Sequence, residues 1–355
     1  MQMPQSPSPI LVTGASGYVA GWIVHELLKA GNTVHATVRN LDDETKISPL
    51  RSMAENLPGE LRLFSADLLQ PGSFGEAMQN CKIIFHTASP FRLAVEDPQR
   101  DLIAPAVDGT RHLLEEVSKH ESVKTVILTS SCAAIYGDNQ DLQNTEKGVF
   151  DESCWNTSSS LGHQPYSYSK TMAERTAWEI AKSQASWRLV TINPSLVLGP
   201  AINPHATSES FHIMEQLGGG QMQAGVPDLE IGIVDVRDVA QAHIAAAFNQ
   251  NAQGRYLTSG HDFSFLKVAN ILRAEFGDSY PFPRRTLPKW VAWLFGPLFD
   301  RALTRDYIRK NISYPFRADN TKAVNELGVS FRSAQESIRE MMQQMIDSQR
   351  IKKSP

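Results

Sequence analysis

The sequence predicts an α/β protein: a doubly wound parallel β-sheet with a smaller, interleaved, mostly helical C-terminal region. Three observations carry that prediction. Short apolar runs alternate with segments of helical period through the first half of the chain, the pattern of parallel strands joined by crossover helices. The first run, Ile10-Leu11-Val12, feeds directly into a glycine-rich turn and then a helical segment. Such a turn brings backbone N–H groups at a helix N-terminus up to a phosphate. Further on, Tyr166 and Lys170 stand four residues apart in a helical segment and therefore on one face of it.

Taken in order, residues 10–12 form a strand buried on both faces. Val19, Ile23, Leu27 and Leu28 share one face of a helix over 19–30, which Gly31-Asn32 ends. Strands are expected over 33–38, 61–64 and 82–85, and a long helix over 102–119. A fifth strand follows over 123–128, a helix over 165–182 and a sixth strand over 187–192. Residues 193–204 hold three prolines and a glycine, so the chain leaves the sheet there. Gly218-Gly219-Gly220 is a flexible loop. A strand over 230–234, a helix over 238–248 and a strand over 254–258 come next. The rest is mostly helical with proline-rich connections. This divides the chain into a flexible lead (1–9), a nucleotide-binding domain (10–195) and a substrate-binding region (196–355), of which 230–260 returns to the main sheet.

Composition narrows the function classes. Of 355 residues, 41% are hydrophobic and 20% charged, as in an ordinary globular enzyme. The net charge of −4 comes with no basic stripe, which argues against nucleic acid as a partner. The N-terminus lacks a basic region followed by a long apolar core, so no signal peptide is expected. The apolar run at 290–299 falls short of the ~20 residues a membrane span needs and is expected to pack on the body of the protein. Cys81, Cys132 and Cys154 form no CxxC pair, which suits reduced thiols and a cytoplasmic location. None of the ten histidines falls in a ligand-spaced cluster, so no metal is expected.

The turn Gly14-Ala15-Ser16-Gly17-Tyr18-Val19 is the candidate dinucleotide cradle. Gly14 permits the tight turn, Gly17 lets the backbone approach the phosphates, and Ala20 takes the third glycine position, which serves helix–strand packing. Enzymes that hold an unphosphorylated ribose place a carboxylate at the end of the second strand. Here Val38 is followed by Arg39, and no acid appears before Asp42. A guanidinium there suits the 2′-phosphate of NADP(H), with Lys46 as a second positive charge. Asp67 and Leu68 end the third strand, where a carboxylate can accept from an adenine amino group. Thr87, Ala88 and Ser89 are small residues at the fourth strand's exit, and Thr129 lies at the fifth's. His86, inside an apolar run, reads as a core histidine.

Tyrosine is a weak acid–base group at its free pKa near 10. An ammonium one helical turn away is expected to lower it, and the phenol can then protonate a carbonyl oxygen. Ser131, in Thr129-Ser130-Ser131, can donate to that oxygen and orient it.

These residues resemble the extended short-chain dehydrogenase/reductase superfamily, in the branch of dihydroflavonol 4-reductase, cinnamoyl-CoA reductase and yeast methylglyoxal reductase. The matching stretches are VTGASGYVA, ATVRN, SADL, FHTASP, LTSSCAAIYG, YSYSK, NPSLVLGP and DVRDVAQAH, spread in family order over roughly residues 10–260. The resemblance implies a Rossmann fold and NADPH-dependent reduction of an aldehyde or ketone. Ser131, Tyr166 and Lys170 take the catalytic positions. Pro194, Leu196 and Val197 match the segment flanking the nicotinamide, and Ser208 matches a hydroxyl near the phosphates. Dihydroflavonol reductases carry an asparagine five residues after the catalytic serine; Tyr136 stands there instead, against a flavonoid substrate. Cys132, Tyr136, Ile202, Phe211 and Met214 are the expected apolar pocket. The expected partners are a small carbonyl substrate and, at most, a second copy of the chain. The competing readings are an NAD-dependent nucleotide-sugar epimerase or dehydratase, a hydroxysteroid dehydrogenase, and an NADP-sensing binding protein.

Overall fold

Ile10, Leu11 and Val12 have no exposed surface, because helices cover both faces of the sheet they join. The computed structural model describes residues 5–89, 95–299 and 302–353. Residues 1–4 of the N-terminal lead, and Pro90 of the FHTASP stretch, lie outside the described residues.

The first half runs β1 (Ile10–Thr13), α1 (Tyr18–Lys29), β2 (Thr33–Val38), α2 (Glu44–Glu55), β3 (Glu60–Ser65), α3 (Gly75–Met78), β4 (Ile83–His86), α4 (Ala104–Val117), β5 (Thr125–Thr129), α5 (Pro165–Lys182) and β6 (Arg188–Pro194). The second half runs β7 (Leu196–Leu198), α6 (Glu209–Gly218), β8 (Val226–Pro227), β9 (Glu230–Asp235), α7 (Val236–Phe248), β10 (Gly254–Thr258), β11 (His261–Ser264), α8 (Phe265–Phe276), β12 (Thr286–Leu287), α9 (Lys289–Phe299), α10 (Arg305–Asn311), α11 (Thr321–Leu327) and α12 (Ala334–Asp347).

Seven strands form one sheet in the order β10-β6-β5-β4-β1-β2-β3, every pair parallel. From β1 the chain builds outward to β2 and β3, then returns to place β4 on the other side. The order therefore reverses between β1 and β4, and the carboxyl ends of those two strands open a crevice, where ligands bind in sheets of this kind.

Several elements differ from the sequence reading. Of 230–260, only β10 joins the main sheet; β9 instead sits between β7 and β11 in a second, three-stranded sheet. Residues 99–103 form a π turn ahead of α4, which starts at Ala104 with Pro105 in its first turn, where the missing N–H costs no hydrogen bond. Helix α2 carries no clear apolar stripe: only Ile47 and Leu50 are buried, and Pro49 lies inside it. Helix α6 did carry a signal, since Phe211, Met214 and Leu217 recur at helical spacing and all are buried.

The two largest apolar bodies among the described residues join the halves. One packs α1, α2 and α7 on one face of the main sheet. The other gathers α6, α8 and α12 around the small sheet. Phe211 (1% exposed) and Met214 (0%) belong to this second core, and the side chain of Ile202 lies against Gly21. These three are therefore packing residues rather than pocket walls, which corrects the sequence expectation. No helix among the described residues is long and apolar enough to cross a membrane.

Candidate active site

The crevice starts where β1 meets β4. Gly14 has φ +63°, and a Cβ there would stand 3.0 Å from the Ala88 Cα, so a side chain would be both strained and crowded. Thr13 fixes the opposite wall: its Oγ1 accepts from the N–H groups of Thr87 and Ala88, each at 3.1 Å. The Thr87 hydroxyl donates back to the Thr13 carbonyl. With both acceptor sites of Thr13 Oγ1 occupied, its own proton goes to His86 Nδ1 at 3.1 Å. His86 is 1% exposed, and burial with Lys170 nearby pulls its pKa down to about 3, so it is a neutral core histidine.

Gly17 caps α1 without a side chain, and the first-turn N–H groups of Tyr18, Val19 and Ala20 have no intrahelical partner. Other parts of the expected cradle are already engaged. Ala15 is fully buried and its N–H donates to the Thr37 carbonyl at 2.9 Å. The Tyr18 ring turns inward, edge-on to Phe211, and its hydroxyl donates to the Gly199 carbonyl at 2.5 Å. Only the backbone of Tyr18 is left for a ligand. A pyrophosphate fits this cradle because the first-turn N–H groups of α1 are free to donate at a helix N-terminus. The Ser208 hydroxyl is buried without a hydrogen-bond partner at the N-cap of the ten-residue helix α6.

At the exit of β2 the Arg39 backbone is pinned by a hydrogen bond from the Ser65 hydroxyl at 3.1 Å. Its guanidinium is exposed and has no ion pair among the described residues. Lys46, in the first turn of α2, is already paired with Asp43 at 2.9 Å. Arg39 is thus the freer of the two charges. One Asp67 carboxylate oxygen accepts from the Leu69 N–H at 2.9 Å, which shapes the turn after β3, while Leu68 packs toward Gly109. Pro194, the last residue of β6, is buried, and Leu196 and Val197 lie in β7, paired with β9. Thr129 Oγ1 lies 2.7 Å from His243 Nε2. His243 Nδ1 donates to the Val239 carbonyl at 2.7 Å, so Nε2 is the acceptor. Burial holds that imidazole neutral, with a pKa of about 4.

The three candidate catalytic side chains come from β5 and α5. Ser131 follows β5 and caps the short turn Cys132–Ala134, its Oγ accepting from the Ala133 N–H at 3.1 Å. The hydroxyl proton is thereby left available to donate. The Thr171 hydroxyl of α5 donates to the Ser167 carbonyl at 2.8 Å and lies 3.3 Å from the Ala133 carbonyl, which sets the catalytic helix against that turn. Tyr166 is 48% exposed, and its hydroxyl has no hydrogen bond to a described residue. The Lys170 ammonium stands 5.8 Å from the centre of the Tyr166 ring and donates to the Ser89 hydroxyl at 2.8 Å.

The expected lowering of the tyrosine pKa is not found. Loss of water around the phenol, with Cys132 and Glu209 nearby, pushes it up, and burial pulls Lys170 down to about 8. The Lys170 ammonium hydrogen-bonds to Ser89, and no hydrogen bond from it to the phenol oxygen is found among the described residues. Tyr166 consequently carries its proton at neutral pH, the form that a proton donor needs.

Beneath these groups lies a polar knot that sequence reading missed. Glu174 and Arg255 form a buried ion pair at 2.6 Å, 0% and 7% exposed. Glu174 also accepts from Asn193 Nδ2 at 2.7 Å and from the Ser130 hydroxyl, and Asn193 donates to the Ser131 carbonyl at 3.1 Å. The signal was faint: a glutamate eight residues after Tyr166 and an arginine in a strand 81 residues further along.

A parallel sheet with a glycine cradle at its switch point, and a tyrosine–lysine helix facing it, defines a nucleotide-binding oxidoreductase fold. The chain belongs to the NAD dependent epimerase/dehydratase family, whose model matches residues 10–258. It is 40% identical over 267 residues to cinnamoyl-CoA reductase CAD2 of Medicago truncatula, covering 74% of this chain and 79% of that protein. It is 32% identical to dihydroflavonol 4-reductase of Gerbera hybrida, over 78% of this chain and 74% of that one. Among solved structures it is similar to yeast methylglyoxal/isovaleraldehyde reductase Gre2 complexed with NADPH. That likeness has a TM-score of 0.77 at 27% identity, over 96% of this chain and 99% of that one.

If Arg39 holds a 2′-phosphate, Arg39→Ala is expected to weaken NADPH binding tenfold or more and leave NADH nearly unchanged. The loss of one charge-assisted contact is worth about 1.5–3 kcal/mol. Titration of both cofactors checks this, and equal losses would remove Arg39 from the phosphate site.

Proposed function

We propose that this protein is an NADPH-dependent reductase of small or aromatic aldehydes and ketones. The observation that carries the reading is that Ser131, Tyr166 and Lys170 all lie on the carboxyl-end side of the sheet, with the Lys170 ammonium 2.8 Å from Ser89 at the exit of β4. Residues 14 and 16–19, Arg39, Ser208 and the β4 exit hold the dinucleotide, which supplies a hydride to the carbonyl carbon when bound. The Ser131 hydroxyl, its acceptor side taken by Ala133, donates to the carbonyl oxygen and orients it. Tyr166 passes its phenolic proton to that oxygen. Lys170 holds positive charge beside Ser89, on the cofactor side of the crevice.

Next to Ser131 lies a cavity lined by Cys132, Ala133, Tyr136, Gln164, Leu229 and Tyr307, among others. Its polar members are engaged with one another. Gln164 Nε2 donates to the Gly137 carbonyl at 2.6 Å, and Asn311 Oδ1 accepts from the Asn139 N–H at 2.9 Å. The Tyr136 ring stacks on Phe150 at 4.5 Å, and burial pushes the Cys132 thiol up to about 11, so it stays neutral. Such a wall offers few free hydrogen-bonding groups to a polyhydroxylated substrate. A largely apolar site discriminates weakly, by ~1–3 kcal/mol per methylene.

Aromatic aldehydes, cinnamaldehydes and α-ketoesters are therefore expected to have specificity constants within a few hundredfold of each other (~10², by the same reasoning), with dihydroflavonols trailing. Cofactor absorbance followed across this panel, with NADPH and with NADH, tests the reading. A dihydroflavonol leading by more than about a thousandfold, well beyond such apolar discrimination, would overturn the substrate assignment. No carbonyl reduction at all would overturn the activity.

A further inference from the structure

We propose that Asp138 is a positioning residue: through Gln164 it sets the start of the catalytic helix, and through Asn311 it ties that start to α10, a wall of the substrate cavity. The inference rests on reading Tyr166 as the proton donor. Asp138 is 1% exposed. Its Oδ1 accepts from Gln164 Nε2 at 2.7 Å and from Asn311 Nδ2 at 2.6 Å. His163 Nε2 lies 3.0 and 2.8 Å from its two oxygens. The donors come from two separate parts of the chain, the approach to α5 and the end of α10, and the carboxylate itself belongs to a third. A buried carboxylate without donors is costly, so each partner is held in place by the same group.

Gln164 shows why this matters for Tyr166. It is the N-cap of α5 with φ 52° and ψ 58°, the left-handed region that a residue with a side chain adopts only when its surroundings dictate it. Two hydrogen bonds from its amide, to the Gly137 carbonyl and to Asp138, supply that constraint. Pro165 follows, and a residue before proline is steered away from right-handed helical geometry. The Gln164 carbonyl then accepts from the Tyr168 N–H at 3.0 Å, beginning the helix that carries Tyr166. On the other side, Asn311 also donates to the Tyr307 carbonyl at 3.0 Å, and both residues line the cavity. Asp138 touches no reacting atom. It makes the direction of the Tyr166 phenol depend on how α10 is seated.

The test is Asp138→Asn, which keeps the volume and replaces an acceptor oxygen with a donor that faces other donors. Turnover is expected to fall roughly 10–100-fold, the scale of a small misplacement of a reacting group, with NADPH affinity kept within about twofold. In the Tyr166→Phe background the same substitution is expected to change turnover little further. Amide exchange over residues 164–168 of the substrate-free protein is expected to speed up. Unchanged exchange there, or an equal turnover loss in the Tyr166→Phe background, overturns the proposal. Should Asp138→Asn fail to fold, Gln164→Leu removes the same tie from the other end and is read the same way. If the wild-type protein reduces no carbonyl, the proton-donor reading falls, and amide exchange still decides whether Asp138 holds the helix start.

Discussion

Tyr166→Phe is expected to give a folded, cofactor-binding protein whose turnover is lower by ~10²–10⁴. The ring is kept, it is half exposed, and the hydroxyl makes no hydrogen bond to a described residue, so its removal orphans no buried partner. The loss then falls on the chemical step alone. A phenol whose pKa is not lowered from its ordinary value near 10 is protonated at neutral pH, so what disappears is a proton positioned for transfer. Side-by-side measurement of turnover and NADPH affinity separates the two effects. Retention of most activity would remove Tyr166 from the role and turn attention to Tyr168, two residues along the same helix.

The second large effect concerns stability. Arg255→Met is expected to destabilise the fold by about 3–5 kcal/mol, the usual cost of breaking one side of a buried ion pair. Glu174 would remain in the interior without its cation, facing Asn193 and Ser130. Arg255 also donates to the Ala134 carbonyl at 3.1 Å and lies over the Trp155 ring at 4.0 Å, so the turn after Ser131 loosens with it. The double change Glu174→Gln with Arg255→Met removes both charges and is expected to cost less than Arg255→Met alone. Urea unfolding of the unchanged protein and of the two variants checks this. A loss below about 1 kcal/mol for Arg255→Met, the scale of an exposed pair, would show that Glu174 finds enough compensation from its neutral donors.

The sequence by itself determined the sheet and its crevice. Strands such as β1 are apolar on both faces, a pattern no other layer explains, and the first helix opens on glycines at a fixed spacing. The glycine at position 14, the tyrosine–lysine spacing and the arginine after β2 are local facts, legible because each depends on neighbours within a turn or two. What only the tertiary structure decided depends on partners far apart in the chain. The small sheet drew β9 away from the main one. Phe211 and Met214 went into the second core, and Tyr18 turned inward to Gly199. The phenol was pushed up rather than down by the loss of surrounding water and by Cys132 and Glu209, while the Lys170 ammonium found Ser89, 81 residues away. Glu174 met Arg255 across the same separation, and Asp138 met Asn311 across 173 residues. Periodicity records which way a side chain faces, and it carries no record of which distant group will be waiting there.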